Sequence, residues 1–415
     1  MTHLLLHNAT LIDGTGAAPV PSAAVLVQDG KITWAGAEKD LPPAIGDPPT
    51  RVDLAGNTIC PGFFDCHVHF GLPGAGGLPL DRILHPLSYH HFQLIDRLRV
   101  TLHNGVTTAR DLMGVDAGVR EAVADGLIPG PRLLVAINMM SQTSGHADFR
   151  LPSGIDLTPF VGGSLVDSVD EARHRTRDLI AAGADVIKVA SSGGIASPSD
   201  QPEWLGMREE MIAAVVAEAA AYGNKRVAAH AIGRAGIEAA VEAGVTSIEH
   251  GYQLDDALRK RMVDQGTFLV PTLLETMAAV TVSPAAREKS DRWHRMAHDA
   301  VGASAAAGIK IALGTDAGLG PNHGTNLQEL GLLVRFGGLT PMQAIVAGTR
   351  TSAELCGLQD ELGTIETGKI ADVVVVRGDP LADIDAIGTP DGILLVLKDG
   401  VVAKDRGGFL TPSGG

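Results

Sequence analysis

The feature that most constrains this chain is a repeated change of rhythm between residues 61 and 361. Short apolar runs alternate with Ala-rich stretches of helical period. The runs are PGFFDCHVHF, GVTTARDL, PRLLVAINM, ADVIKVASS, KRVAAHAIG, VTSIEHG, TFLVPTLLE and IKIALGTDAG. Between them lie segments such as EEMIAAVVAEAAAYG and RAGIEAAVEAG. Strand–helix alternation implies a parallel sheet, and eight such units over about 300 residues predict a (β/α)8 barrel.

The two ends follow another pattern. AAVLVQDGKITWAG and GILLVLKDGVVAKD are each two apolar runs joined by Asp-Gly, the strongest short-range hairpin signal. ADVVVVRGDP adds a strand beside the second hairpin. Residues 1–60 and 362–415 are therefore expected to form one small β-sandwich domain around the barrel of residues 61–361.

In a barrel of this kind the chemistry sits at the carboxyl ends of the strands, and polar residues collect there. His67 and His69 are alternate residues of one strand, so they share a face and can form a metal-ligand pair. His230, His250 and Asp316 fall at the ends of later strands. Singly, each would be read as a hydrogen-bonded core residue; together they predict a metal site. Lys188 stands inside the apolar run VIKVA, where burial disfavours its ammonium form. A neutral amine can add carbon dioxide, and the resulting carbamate has two oxygens that can bridge two metal ions.

Composition limits the alternatives. A hydrophobic content of 45% argues against disorder. A formal net charge of −15 argues against a surface that neutralises phosphates, so no nucleic-acid partner is expected. The N-terminus lacks the pattern of a secretory signal, and no apolar run reaches the roughly 20 residues needed to span a bilayer. Cys60, Cys66 and Cys356 are an odd set in a long chain, which suits a reducing compartment. A cytoplasmic enzyme with a small-molecule substrate and no membrane partner is expected, as a homo-oligomer on the general prevalence of closed assemblies.

The motifs PGFFDCHVH, IKVASSGG, AHAIG, SIEHG and GTDAG, with the tail ELGTIETGKIADVVVVRGDPL, resemble the amidohydrolase superfamily in its two-metal, carboxylated-lysine form. Within it they are similar to the imidazolonepropionase-like branch that contains Xaa-Pro dipeptidases (prolidases). The resemblance spans nearly the whole chain. It implies that His67, His69 and Asp316 hold one metal, that His230 and His250 hold the second, and that a Lys188 carbamate bridges them. One-metal members, which lack the bridging lysine, fit less well. The implied metal is zinc, with manganese or cobalt as alternatives. The implied chemistry is attack of a metal-bridging hydroxide on a carbonyl, with Asp316 as the base that later delivers its proton to the leaving amine.

The substrate side is less constrained. His146, in QTSGHADF, matches the branch's histidine that contacts the substrate's carbonyl or its oxyanion, with a loop-fixing hydrogen bonder as the simpler reading. His323, just after Asp316, is a candidate for the mouth of the site. The prolidase-like members carry a carboxylate-holding tyrosine shortly after the second-metal histidine, and here His230 is followed by Ala231, Ile232 and Gly233. Tyr252, Arg150 and Arg234 are candidate replacements, the arginines with ordinary surface charge as their simpler reading. The expected activity is amide C–N hydrolysis of an N-acyl amino acid or Xaa-Pro dipeptide. The alternatives are neutral amides, carbamates, ureas or a lactone or ester, and, remotely, a non-catalytic scaffold that would be marked by lost ligands.

Overall fold

The computed structural model describes residues 3–43, 47–72, 84–151, 153–195, 200–277, 284–318 and 322–410. The barrel strands are β6 (Phe63–Val68), β7 (Val106–Asp111), β8 (Arg132–Val135) continued by β9 (Met139–Ser141), β11 (Val186–Ala190), β12 (Arg226–Ala231), β13 (Ser247–His250) and β14 (Phe268–Val270). Another short strand, β10 (Gly163–Leu165), pairs with β9. All the barrel pairings are parallel. Every residue of β6, β7, β11, β13 and β14 is buried, as expected of strands covered on both faces.

The eighth unit differs from expectation. Residues 310–317 close the barrel between β14 and β6 through Leu269 N–H to Lys310 O, Ala312 N–H to Leu269 O, Cys66 N–H to Leu313 O and His69 N–H to Ala317 O. They form only isolated bridges, Leu269 with Ile311 and Val68 with Ala317. Two residues interrupt the ladder. A Cβ at Gly314 would sit 2.9 Å from His67 Cβ and 2.3 Å from Val270 Cγ1, and Asp316 takes a left-handed φ of 59°.

The ends of the chain build a sheet of eight strands: β1 (His3–Leu11), β2 (Val20–Gln28), β3 (Lys31–Ala37), β4 (Thr50–Asp53), β5 (Thr58–Pro61), β15 (Val373–Val376), β16 (Ile393–Lys398) and β17 (Val401–Asp405). The sheet branches at β1, which carries β4 along its first half and β5 along its second. Both arms share one apolar core, with Leu6, Val25, Val52, Val373 and Leu395 in it. Both Asp-Gly hairpins form. Asp29 and Gly30 join β2 to β3, Asp399 and Gly400 join β16 to β17, and all four residues have positive φ, the turn that matches strand twist. The two turns abut, so a Cβ at Gly400 would stand 2.6 Å from Gly30 Cα. Among the described residues, no helix is long and apolar enough to cross a membrane.

Candidate metal centre

The ligand-type residues arrive from β6, β11, β12, β13 and the last segment. His67 and Lys188 lie in β6 and β11, and His69 directly follows β6. In register, His230 of β12 faces Glu249 of β13, and His250 faces Ala231. His250 has φ 74° and Asp316 φ 59°. Such values are uncommon for residues with a Cβ, and backbone strain of this kind collects at functional sites. Thr272, at φ 52°, is a further case, and it touches His250.

The imidazoles form a contiguous group. Ring centres are 5.3 Å apart for His67 and His69, 5.2 Å for His67 and His250, 4.7 Å for His230 and His250, and 4.0 Å for the stacked pair His146 and His230. Three of them have Nδ1 close to an outer partner. His67 Nδ1 lies 2.9 Å from Glu249 Oε2, His69 Nδ1 3.0 Å from Met113 O, and His250 Nδ1 2.7 Å from Thr272 Oγ1. Outer partners of this type fix the tautomer and orientation of metal-ligating histidines. The Nε2 atoms of His67 and His69 lie 3.5 Å and 3.0 Å from Asp316 Oδ1. Donor atoms of His67, His250 and Asp316 all fall within 4.8 Å of one another, so the tightest trio draws on both of the expected ligand sets. His230 differs, with Nε2 3.1 Å from Gly193 O.

Four buried atoms in this cluster, His67 Nδ1, Glu249 Oε2, Lys188 Nζ and Asp316 Oδ1, make no hydrogen bond among the described residues. Unmatched buried polar groups are costly, and neutral imidazoles beside a carboxylate and an unpartnered lysine are a donor set that suits divalent cations. The residues present fit the metal ions that the sequence implies. Charges follow the same logic. Burial pushes Lys188 down to about 8, with Glu249 and Asp316 opposing the shift. It also holds His230 and His250 well below the usual histidine range, and His67 falls to about 4. Burial works against ionisation of Asp316, yet His67 and His69 hold its carboxyl well below the usual range.

Several participants were missed in the sequence. Glu249 is fully buried and accepts from Arg110 Nη2 at 2.9 Å and from Ser247 Oγ at 2.5 Å. Burial opposes its charge, but Arg110 and His67 keep it ionised. Arg110, 1% exposed, also donates to Cys66 O at 2.6 Å. Asp65 of β6 accepts from Thr315 Oγ1 and Asn326 Nδ2 at 2.6 and 2.7 Å, tying the first strand to the last segment. Glu275, after β14, meets the Asp316 carboxyl; burial and that neighbouring charge raise it well above the usual range. Asp200 approaches His146.

Of the substrate-side candidates, the structure brings His146 against His230 and Tyr252 against His250, with ring centres 5.7 Å apart in the latter pair. Tyr252 is buried, its hydroxyl 3.5 Å from Thr272 Oγ1. His323 stacks on Phe70 beside the loop that follows His69. The two arginines are engaged elsewhere. Arg150 grips Asp148 through Nε and Nη2, and Arg234 bonds Asp255 and Glu238 at 2.7 and 2.8 Å. Cys66 turns away from the histidines and packs with its Sγ 3.8 Å from Cys356 Sγ.

Comparison with known proteins identifies the family. Residues 58–403 match the model of the Amidohydrolase family. Ochratoxinase from Aspergillus niger is 33% identical over 97% of this chain and 87% of its own length, and its crystal structure superposes with a TM-score of 0.87. A prolidase solved in complex with N-methylphosphonate-L-proline is 31% identical, with a TM-score of 0.88 over 97% of this chain and all of its own. A Xaa-Pro dipeptidase with bound methionine is 29% identical, with a TM-score of 0.85 over 97% of this chain and 99% of its own. The chain belongs to the amidohydrolase family and is a hydrolase with that family's barrel and accompanying β domain.

Proposed function

We propose that this enzyme hydrolyses the C–N amide bond of an N-acyl amino acid or Xaa-Pro dipeptide. The observation that carries the reading is the convergence of five histidines, Lys188 and Asp316 at the carboxyl end of the barrel, beside likeness to a prolidase and an ochratoxinase. His67, His69 and Asp316 would hold one divalent cation and His230 and His250 a second, with Lys188 as the carbamate between them. Zinc suits this donor set, with manganese or cobalt as alternatives. When bound, such ions polarise a carbonyl and lower the pKa of water.

The remaining chemistry belongs to side chains. Asp316 takes the proton of the attacking water and returns it to the leaving amine nitrogen, a role that starts from the ionised carboxylate found in the resting site. His146 donates from Nε2 to the substrate's carbonyl oxygen as negative charge develops there. Tyr252 and His323 line the approach. A second reading has its own support. Arg150 and Arg234 are neutralised by their own neighbours, and Glu275 adds a carboxyl beside Asp316. Such surroundings favour a neutral amide, carbamate or urea over a carboxylate-bearing substrate.

A matched pair of substrates separates the two readings. Zinc-loaded protein is given an N-acyl-proline and the corresponding N-acyl-prolinamide, and cleavage of the acyl–proline bond is followed. The main reading expects preference for the acid in kcat/KM. Equal or reversed preference moves the assignment to neutral substrates, and cleavage of neither compound would overturn the N-acyl amino acid assignment.

A further inference from the structure

His146 is held in a slot that its role as a carbonyl contact does not by itself require. Its ring lies nearly parallel to that of His230, 13° between planes at 4.0 Å. Its Nδ1 is 3.2 Å from Asp200 Oδ2. The same carboxylate oxygen accepts the backbone N–H of Gly194 at 2.9 Å, and Lys289 Nζ donates to Asp200 O at 2.9 Å. Asp200 is 1% exposed. Gly194 completes the slot by lacking a side chain. A Cβ there would lie 2.0 Å from His146 Cε1 and 2.2 Å from Nδ1, closer than any real contact.

We infer that Asp200 is a positioning residue for His146, and that Gly194 supplies the space in which Asp200 holds the ring. A carboxylate accepts only, so the contact fixes a proton at Nδ1 and leaves Nε2 as the nitrogen that meets substrate. Held at Nδ1, the ring presents its Nε2 edge toward the substrate's oxygen. Stacking on His230 restricts tilt, and the Asp200 contact restricts rotation about the ring axis; a free imidazole would have both motions. The role of His146 in turnover rests on the amide-hydrolase reading above. The contact with Asp200 does not.

Two measurements keep these apart. First, the downfield imidazole N–H proton resonances of zinc-loaded protein are compared in wild type, His146→Ala and Asp200→Asn. The two variants are expected to lose the same resonance and keep the others. If Asp200→Asn retains the resonance lost in His146→Ala, or His146→Ala loses none, the inference is overturned. Second, on N-acyl-proline, Asp200→Asn should lower kcat about 100-fold, the scale of a misplaced catalytic group, with little change in KM. Gly194→Ala should do the same. In the His146→Ala background, Asp200→Asn should cost nothing further. Independent, multiplying losses would show that Asp200 acts elsewhere and would overturn the inference. Absence of turnover in the wild type would defeat the substrate assignment alone, and the resonance comparison would still decide the role of Asp200.

Discussion

Replacing Arg110 by methionine tests how the centre is supported from behind. Arg110 and Glu249 are 1% and 0% exposed in their side chains and 2.9 Å apart. Glu249 reaches onward to His67. Methionine fills a similar volume but leaves Glu249 as a buried charge supported by Ser247 and His67 alone. Removing one partner of a buried ion pair costs about 3–5 kcal/mol, far more than the roughly 0–1 kcal/mol of an exposed pair. With an unfolding entropy of about 2.1 cal/mol/K per residue, a 415-residue chain shifts by ~1 °C per kcal/mol, so a fall of ~4 °C in Tm is expected. The metal-free protein should show this loss in calorimetry. Zinc affinity should fall by about 10–100-fold as His67 loses its fixed orientation. The double variant Arg110→Met/Glu249→Gln removes both charges, so its loss of stability should be smaller than the sum of the two single losses. Simply additive losses, or an Arg110→Met cost under about 1 kcal/mol, would refute the description of these residues as one buried unit.

Other expectations follow from the same site. Lys188→Ala should bind less metal and lose activity, with partial rescue by a short carboxylic acid added to the assay; full activity without rescue would remove the carbamate from the account. Asp316→Asn should keep part of its metal, measured by elemental analysis, and lose kcat by ~10²–10⁴; unchanged turnover would require another base. Away from the centre, His294 is buried, and burial together with the charge of His298 lowers its pKa from the ordinary 6.5 to about 4. The unfolded chain therefore takes up a proton below pH 6.5 and the folded one only near pH 4. Stability from neutral His294 is present above pH 6.5 and declines toward pH 4. His294→Gln should flatten that limb in denaturant titrations at pH 7 and pH 5, and an unaltered slope would contradict the assignment.

What could be read from the sequence had short-range signals. Fully buried parallel strands show as apolar runs, so seven barrel strands and the ligand residues at their ends stood out, and Lys188 was conspicuous for being charged among them. Asp-Gly pairs located both hairpins. The supporting partners had no such signal, because each is remote in sequence from what it supports: Glu249 from His67, Asp200 from His146, Glu275 from Asp316. Glu249 was inside the motif SIEHG but drew no notice beside His250. The engagement of the arginines was partly legible. Asp148 stands two residues before Arg150, and Glu238 one helical turn after Arg234, a spacing that pairs side chains. The irregular last segment was not legible, because its break depends on the close approach of Gly314 to His67.

The central claim is that these residues assemble a two-metal centre bridged by modified Lys188. Anomalous diffraction from zinc-loaded crystals tests it most directly. The account predicts two peaks, one among His67, His69 and Asp316 and one beside His230 and His250, with density extending from Lys188 Nζ between them. A single peak with an unmodified Lys188, or no peak at this end of the barrel, would contradict it.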